Sequence, residues 1–336
     1  MKRRSKNSLP REAHHWWLSE PSAGAWLFTH QTAGWIYKPD LRSQLPPHLR
    51  VFAQFCRAQY VLKRTGRIVG GRWFFQRMSR LSRWCTAPRE TVLRTEGFSV
   101  YLKTADPRLL QVPNELAAGN LNRRALEHLL SPGDTFMDVG ANHGSFSLIA
   151  ARVVRRTGRL IAVEPQPDLA SLVRRSLAAN AECDFEVHQT ACGDSPGVAE
   201  FYIPRVTSGS AGLFPAFSAR GDHQVLSVSV RTLDEFVEAD TLPGKLVIKL
   251  DVEGNELAVL SGAKHLIRAR RPQLLLELNL ASLTAAGKRP LDLVNLLREL
   301  EFARFAEIDR VTTFHELERL SFHPSRNVIV APSYAA

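Results

Sequence analysis

Cysteine is scarce in this chain, with Cys56, Cys85, Cys183 and Cys192 the only four in 336 residues and no CxxC pair among them. That excludes the usual structural zinc ligand set and leaves no disulfide framework, so no metal site is expected. A reducing compartment fits this usage. No apolar run reaches the roughly 18 residues of a membrane-spanning helix. The basic start Met1–Lys6 is followed by Glu12, His14, His15 and Glu20, not by the 7–15 apolar residues, roughly, of a secretory signal. Cytoplasmic localisation is therefore expected. Internal repeats and low-complexity tracts are also lacking. Acid is nearly missing from residues 1–95, which hold 4 Asp/Glu against 18 Lys/Arg, while residues 96–336 hold 29 against 26. Tryptophan is missing from the second part altogether, since all six lie between Trp16 and Trp84. The expected organisation is a basic, Trp-rich extension over 1–90 and a near-neutral domain over 91–336.

From about Thr95 the pattern is regular. Strands are expected at Gly97–Lys103, Thr135–Val139, Leu160–Val163, Phe185–Thr190, Leu246–Leu250, Gln273–Leu278, Arg304–Ile308 and Asn327–Val330. Helices are expected at Asn120–Leu130, from Gly144 to about Val154, from Asp168 as cap to Asn180, at Glu256–Arg268 and at Leu291–Leu300. Short apolar strands alternating with amphipathic helices give βαβ units and a doubly wound, mostly parallel α/β sheet. Ligands of such sheets bind beyond the carboxyl ends of the strands, at the switch point. Function is therefore sought at Asp138–Gly144, Glu164, Cys192–Asp194, Asp251–Glu253 and Glu277–Asn279.

Asp138-Val139-Gly140-Ala141-Asn142-His143-Gly144 follows the first strand of this series and opens a helix. Gly140 and Gly144 allow a tight turn and a close backbone approach, and Asn142 tolerates a left-handed conformation. A dinucleotide and S-adenosylmethionine both suit such a loop, and for both Glu164 at the next strand's end is placed to accept from ribose hydroxyls. Dinucleotide binders show G-x-G-x-x-G with a pyrophosphate on the helix N-terminus. Here the loop reads G-A-N-H-G behind an acid. Asp138 would repel a pyrophosphate and suits the ammonium of a methionine moiety, so the charge favours S-adenosylmethionine.

These residues carry a family resemblance. Asp138–Gly144 resembles the D-V-G-A-N-x-G motif of FkbM-type methyltransferases. Gly133-Asp134-Thr135, Ala162-Val163-Glu164-Pro165, Arg231-Thr232-Leu233-Asp234, Ile248–Glu256 and Leu260-Ser261-Gly262-Ala263 match in the family's order, over roughly Thr95–Pro332. The resemblance implies a class I, Rossmann-like methyltransferase fold and methylation of a hydroxyl oxygen, in this family often on a sugar, glycolipid or polyketide. It implies that Asp138 and the backbone of Gly140, Ala141, Asn142 and Gly144 hold the methionine part, that Glu164 holds the ribose, and that Asp194 meets the adenine amino group. Methyl transfer from a sulfonium is an in-line displacement, so positioning the acceptor is the main task. A hydroxyl is a weak nucleophile and gains from a base within reach. Asp251 or Glu253 is the candidate, with His143 and His223 behind. The alternative is that Asp251 and Glu253 only shape the loop and balance charge, and Glu277 is equally open to a structural role. Arg205–Gln224 is long and aperiodic, as active-site lids often are.

The extension over 1–90 lies outside the resemblance. Pro46–Lys63 and Arg72–Cys85 read as helices. On the second, Trp73, Phe74, Phe75, Met78, Leu81 and Trp84 oppose Arg72, Arg77, Arg80 and Arg83, which suits an anionic membrane interface. A cap on the catalytic domain and a nucleic-acid grip are the alternatives. No Asn/Asp-Pro-Pro-aromatic motif occurs (Pro46-Pro47 is flanked by Leu45 and His48), and no Pro-Cys nucleophile occurs. The expected function is an S-adenosylmethionine-dependent O-methyltransferase acting on a glycan, glycolipid or related natural product. The rivals are an RNA methyltransferase gripping through the basic arm, or a methyltransferase-fold scaffold without activity.

Overall fold

A computed structural model describes residues 44, 90–104, 106–204, 208–215, 223–236, 238–322 and 326–333. The expected helices at 46–63 and 72–85 lie outside the described residues. From residue 90 the described chain begins with a hairpin, β1 (Glu90–Thr95) and β2 (Phe98–Lys103). Its turn, Glu96-Gly97, has both φ angles positive, at 52° and 78°. The far edge of β2 is closed by side chains of the helix Pro167–Asn180. The Asn180 amide accepts from Ser99 N–H (2.9 Å) and donates to Ser99 C=O (2.8 Å), and Ser176 Oγ accepts from Tyr101 N–H (2.9 Å).

The chain then builds β3 (Thr135–Val139), β4 (Arg159–Val163) and β5 (Asp184–His188) in parallel, each crossover carried by a helix, Ser145–Val154 and Pro167–Asn180. It leaves the sheet for β6 (Ala191–Cys192), β7 (Gly197–Pro204) and β8 (His223–Arg231), a separate three-stranded sheet ordered β6-β8-β7. It returns as β9 (Leu246–Leu250) on the other side of β3, followed by β10 (Gln273–Leu278), β11 (Phe302–Glu307), β12 (Phe314–Glu316) and β13 (Arg326–Pro332). The main sheet is ordered β12-β11-β13-β10-β9-β3-β4-β5, parallel from β10 to β5 and antiparallel at β13, β11 and β12. Strand order reverses between β3 and β9, so the switch point lies where Gly140 meets Asp251. This is the class I methyltransferase architecture.

Period-2 alternation divides the core between the two faces of the sheet. Phe136, Leu160, Val247, Leu275 and Ile329 point to the helices Leu121–Leu129 and Ser145–Val154. Met137, Val139, Ile161, Ile248, Leu250, Leu274 and Leu276 point to the helices Lys264–Arg270 and Pro290–Glu299. Each strand is thus apolar on both faces, as parallel strands covered on both sides must be.

Three local expectations are corrected. Asp168 does not cap its helix. Gln166 is the N-cap residue, Pro167 occupies the first turn, and Asp168 pairs instead with Lys103 Nζ at 2.5 Å. The helix expected over Glu256–Arg268 is two helices, Glu256–Ser261 and Lys264–Arg270. They break at Gly262-Ala263, where a Cβ on Gly262 would lie 2.0 Å from Gly193 C=O. The strand expected to run to Thr190 ends at His188, and β6, β7 and β8 form the second sheet, which period-2 reading of short segments did not reveal.

Candidate active site at the sheet switch point

The strand-end loops converge on a cleft of about 580 Å³, counting the part open to solvent. Val139, Gly140 and Asn142 line it from the β3 loop, Glu164, Pro165 and Gln166 from the β4 loop, and Thr190, Ala191 and Cys192 beyond β5. Asp251, Val252, Glu253 and Asn255 line it from β9, and Arg108, Ser208 and Gly209 complete the wall.

Gly140 holds the centre of the switch point. Its φ is +81°, and a Cβ there would lie 2.0 Å from Asp251 C=O, so only glycine lets the two loops pass. Gly140 N–H and Ala141 N–H both donate to Val163 C=O at 3.0 Å. Asn142 takes the left-handed conformation (φ 50°). Its N–H donates to Glu164 Oε2 at 2.8 Å. Gly144, also left-handed at φ 79°, is the N-cap of the helix Ser145–Val154.

Glu164 is 2% exposed. Oε1 accepts from Gln166 N–H (2.9 Å) and Gln166 Nε2 (3.2 Å), and Oε2 from Asn142 N–H. A carboxylate has about four lone-pair sites, so Oε2 keeps one for a hydroxyl. Burial pushes its pKa up, and these N–H donors oppose the rise without cancelling it.

Asp138 is fully buried and is not among the residues that line the cleft. Ser147 Oγ donates to its Oδ2 at 2.6 Å, and Lys249 Nζ lies 3.2 Å from its Oδ1. Lys249 stands beside Asp138 in the β3–β9 register. Its Nζ also donates to Gly140 C=O (2.7 Å) and lies 3.4 Å from Asp251 Oδ2. Burial works against its charge, and Asp138 and Asp251 outweigh burial, so its pKa is raised. Lys249 is the residue that the pattern alone passed over. The available signal was a lone cation in an otherwise apolar buried strand.

Asp251, Glu253 and Glu277 gather at the ends of β9 and β10, each bringing a carboxyl oxygen within 4.8 Å of the others. Burial acts to raise the Asp251 pKa. Lys249, a hydrogen bond from Glu277 and the Arg108 charge overcome it and hold Asp251 below its ordinary value. Burial and the Asp251 charge push Glu253 up to about 8, against a hydrogen bond from Ser282 Oγ at 2.8 Å. Glu277 is raised well above its ordinary value by burial and by both neighbouring carboxylates. Within the cluster the surroundings thus favour the charged form of Asp251 and the protonated forms of Glu253 and Glu277. Glu253 also carries a positive φ of 51°, a strain that non-glycine residues keep where neighbours hold them.

The remaining expected residues lie apart from the cleft. Asp194 is exposed and accepts from Ser195 Oγ at 3.1 Å, because the chain turns away after β6. Position 192, two residues earlier, lines the cleft instead. His143 is 2% exposed, with Nε2 3.4 Å from Asp106 Oδ2. His223 begins β8, edge-on to Tyr202.

The donor set fits S-adenosylmethionine: a glycine loop at the switch point, an acid with one unspent lone pair at the second strand's end, and an ionised carboxylate opposite. The fold is that of a class I methyltransferase, and the lining of the cleft suits that cofactor. The family model of the methyltransferase FkbM domain matches residues 138–304 of this chain. It is similar to the hexuronic acid methyltransferase AglP of Haloferax volcanii, 28% identical over 178 residues, which cover 51% of this chain and 64% of that protein. The match thus spans less than two thirds of the relative's length. Among solved structures, it is similar to methyltransferase FkbM from Methylobacillus flagellatus KT, with a TM-score of 0.36 and 17% identity over 67% of this chain and 55% of that one. It is also similar to an S-adenosylmethionine-dependent O-methyltransferase from Thermotoga maritima, with a TM-score of 0.38 and 12% identity over 76% and 81%.

Proposed function

We propose that the protein methylates a hydroxyl oxygen of a glycan, glycolipid or related natural product. The observation that carries this reading is the gathering of the Asp251, Glu253 and Glu277 carboxyls at the switch point, with Asp251 and Glu253 lining the cleft. Carboxyl groups in both protonation states suit a polyhydroxyl acceptor, since they accept from and donate to its hydroxyls. The naming of the archaeal relative for a hexuronic acid supports a sugar acceptor.

S-adenosylmethionine supplies an electrophilic methyl group and leaves as the neutral thioether. The chain's part is to hold the acceptor oxygen in line and take its proton. Asp251 carries the charge at neutral pH and is the first candidate base. Glu253 is the stronger base once ionised. Glu164 and the loop 140–144 hold the cofactor, with Asp138 supporting that loop through Lys249.

The test supplies purified protein with methyl-labelled cofactor, an aryl glucuronide, the matching glucoside, a lipid-linked glycan fraction, total RNA and a protein extract. Label in a base-stable methyl ether is expected. Label only in RNA or protein would overturn the reading. Asp251→Asn should lower turnover by about 10²–10⁴-fold, the range for a general base, with thermal stability little changed. Near-normal turnover would leave Asp251 as scaffolding and move the role to Glu253.

The arm over 1–90 is read as a peripheral contact with an anionic lipid surface, where a lipid-linked acceptor would be met. Its support is the charge asymmetry together with the confinement of tryptophan to the basic part. Among the described residues no helix is long and apolar enough to cross a membrane.

A further inference from the structure

We infer that Asp106 and Glu115 are positioning residues that tie the acceptor wall of the cleft to the cofactor loop, so that filling the cofactor site orders that wall. The inference rests on reading the cleft as the methyl-transfer site.

The wall is Arg108, Ser208 and Gly209, three cleft-lining residues that none of the strand-end motifs contains. Arg108 is the single Lys or Arg among the described residues that line the cleft. It is held at both ends. Its backbone N–H donates to Asp106 Oδ1 at 3.0 Å, and its Nη2 lies 3.2 Å from Glu115 Oε1. A Cβ on Gly209 would lie 2.8 Å from Arg108 Nη1, so the 208–209 backbone is packed directly on the guanidinium.

Each of these holds leads back to the cofactor loop. Asp106 Oδ2 faces His143 Nε2 at 3.4 Å, and Asp106 also bonds Ser208. Glu115 Oε2 accepts from Ser145 Oγ at 2.5 Å. Asn142 Nδ2 donates to Ser208 C=O (3.1 Å) and Ser208 Oγ (3.3 Å). Residues 142 and 145 of one short loop thus hydrogen-bond 208 and 115, and His143 between them stands against Asp106. Asn142 is in turn bonded through its N–H to Glu164.

Asp106, His143, Ser145 and Ser208 are all buried. With little water to compete, these bonds have few alternatives and the loop and the wall move together. A ligand that fixes the loop then fixes the wall, and by linkage an acceptor that fixes the wall tightens the cofactor.

Hydrogen–deuterium exchange on the full chain, with and without S-adenosylhomocysteine, tests this. In the wild type the ligand should slow exchange about fivefold or more at 106–115 and 208–215 as well as at 140–148, the lower range of measured site coupling. In Asp106→Asn, which keeps size and loses charge, the slowing at 106–115 should be lost while the ligand still binds and still slows 140–148. Glu115→Gln, which can still hydrogen-bond Ser145 and loses the charge pairing with Arg108, should release 106–115 in the same way and serves if Asp106→Asn does not fold. Slowing confined to 140–148 in the wild type would overturn the inference, as would slowing at 106–115 retained in both variants. Failure of wild-type protein to bind S-adenosylhomocysteine in calorimetry would sink the cofactor site itself, a separate result.

Discussion

Replacing Glu253 by Gln should stabilise the protein, and by an amount that depends on pH. In the unfolded chain a glutamate titrates near 4.3. In the fold, burial and the charge of Asp251 push Glu253 up to about 8. Between these values the folded state keeps a proton that the unfolded state has lost. Stability therefore falls as pH rises through the window, and the full penalty is present above about pH 8. At about 1.4 kcal/mol per pH unit, a window of that width sets an upper bound of about 5 kcal/mol. Glu253 lies at the cleft, partly open to water, and its ionisation is screened there. About 1–3 kcal/mol is the expected share. Glutamine keeps the shape and does not titrate. The melting temperatures of wild type and Glu253→Gln should coincide near pH 4. By pH 8 they should separate, with the variant higher by roughly 3–10 °C at 2–4 °C per kcal/mol for a domain of this size. Thermal unfolding of both proteins at half-unit steps from pH 4 to pH 8.5 reads this directly. Parallel curves, or a variant less stable at pH 8 than at pH 5 relative to wild type, would refute the argument that Glu253 is held neutral by its surroundings.

Glu164→Ala should weaken S-adenosylmethionine binding by about 1–3 kcal/mol, the scale of hydrogen bonds to a charged group. Calorimetry of the two proteins checks it, with NAD expected not to compete. Gly140→Ala should cost at least about 1–3 kcal/mol of stability from its positive φ alone, and more from the Cβ that would meet Asp251 C=O at 2.0 Å. Denaturant unfolding measures the loss, and an unchanged midpoint would contradict the close passage of the two loops. The full chain should co-sediment with anionic vesicles and not with neutral ones, and Trp73→Ala with Trp84→Ala should weaken that binding even at low salt. Retention that vanishes between about 50 and 200 mM salt would instead mark phosphate-only binding.

Much of the fold was legible because parallel strands buried on both faces write themselves as short apolar runs. Thr135–Val139, Leu246–Leu250 and Gln273–Leu278 lie where the pattern put them. The acids at the ends of such runs, Glu164 and Asp251, stood out because a carboxylate closing a buried strand has no packing role, and both line the cleft. Gly140 and Asn142 were marked by conformations that few residues tolerate, and both have positive φ. These features are local: a strand, its last residue and the turn that follows can be read within a dozen positions. The break at Gly262 was hidden because it depends on Gly193 C=O, in a loop far away in sequence. Asp138 bears on the cleft through Lys249, a partner named only by the β3–β9 register. Arg108 reaches the wall from a segment with no motif, held by Asp106 and Glu115. The carboxyl cluster was visible as separate acids, but which of them is ionised is decided by distance. Lys249 and Arg108 stand against Asp251, while Glu253 and Glu277 meet chiefly burial and the charge that Asp251 keeps. Charge interaction depends on separation and burial, which only the packed sheet fixes.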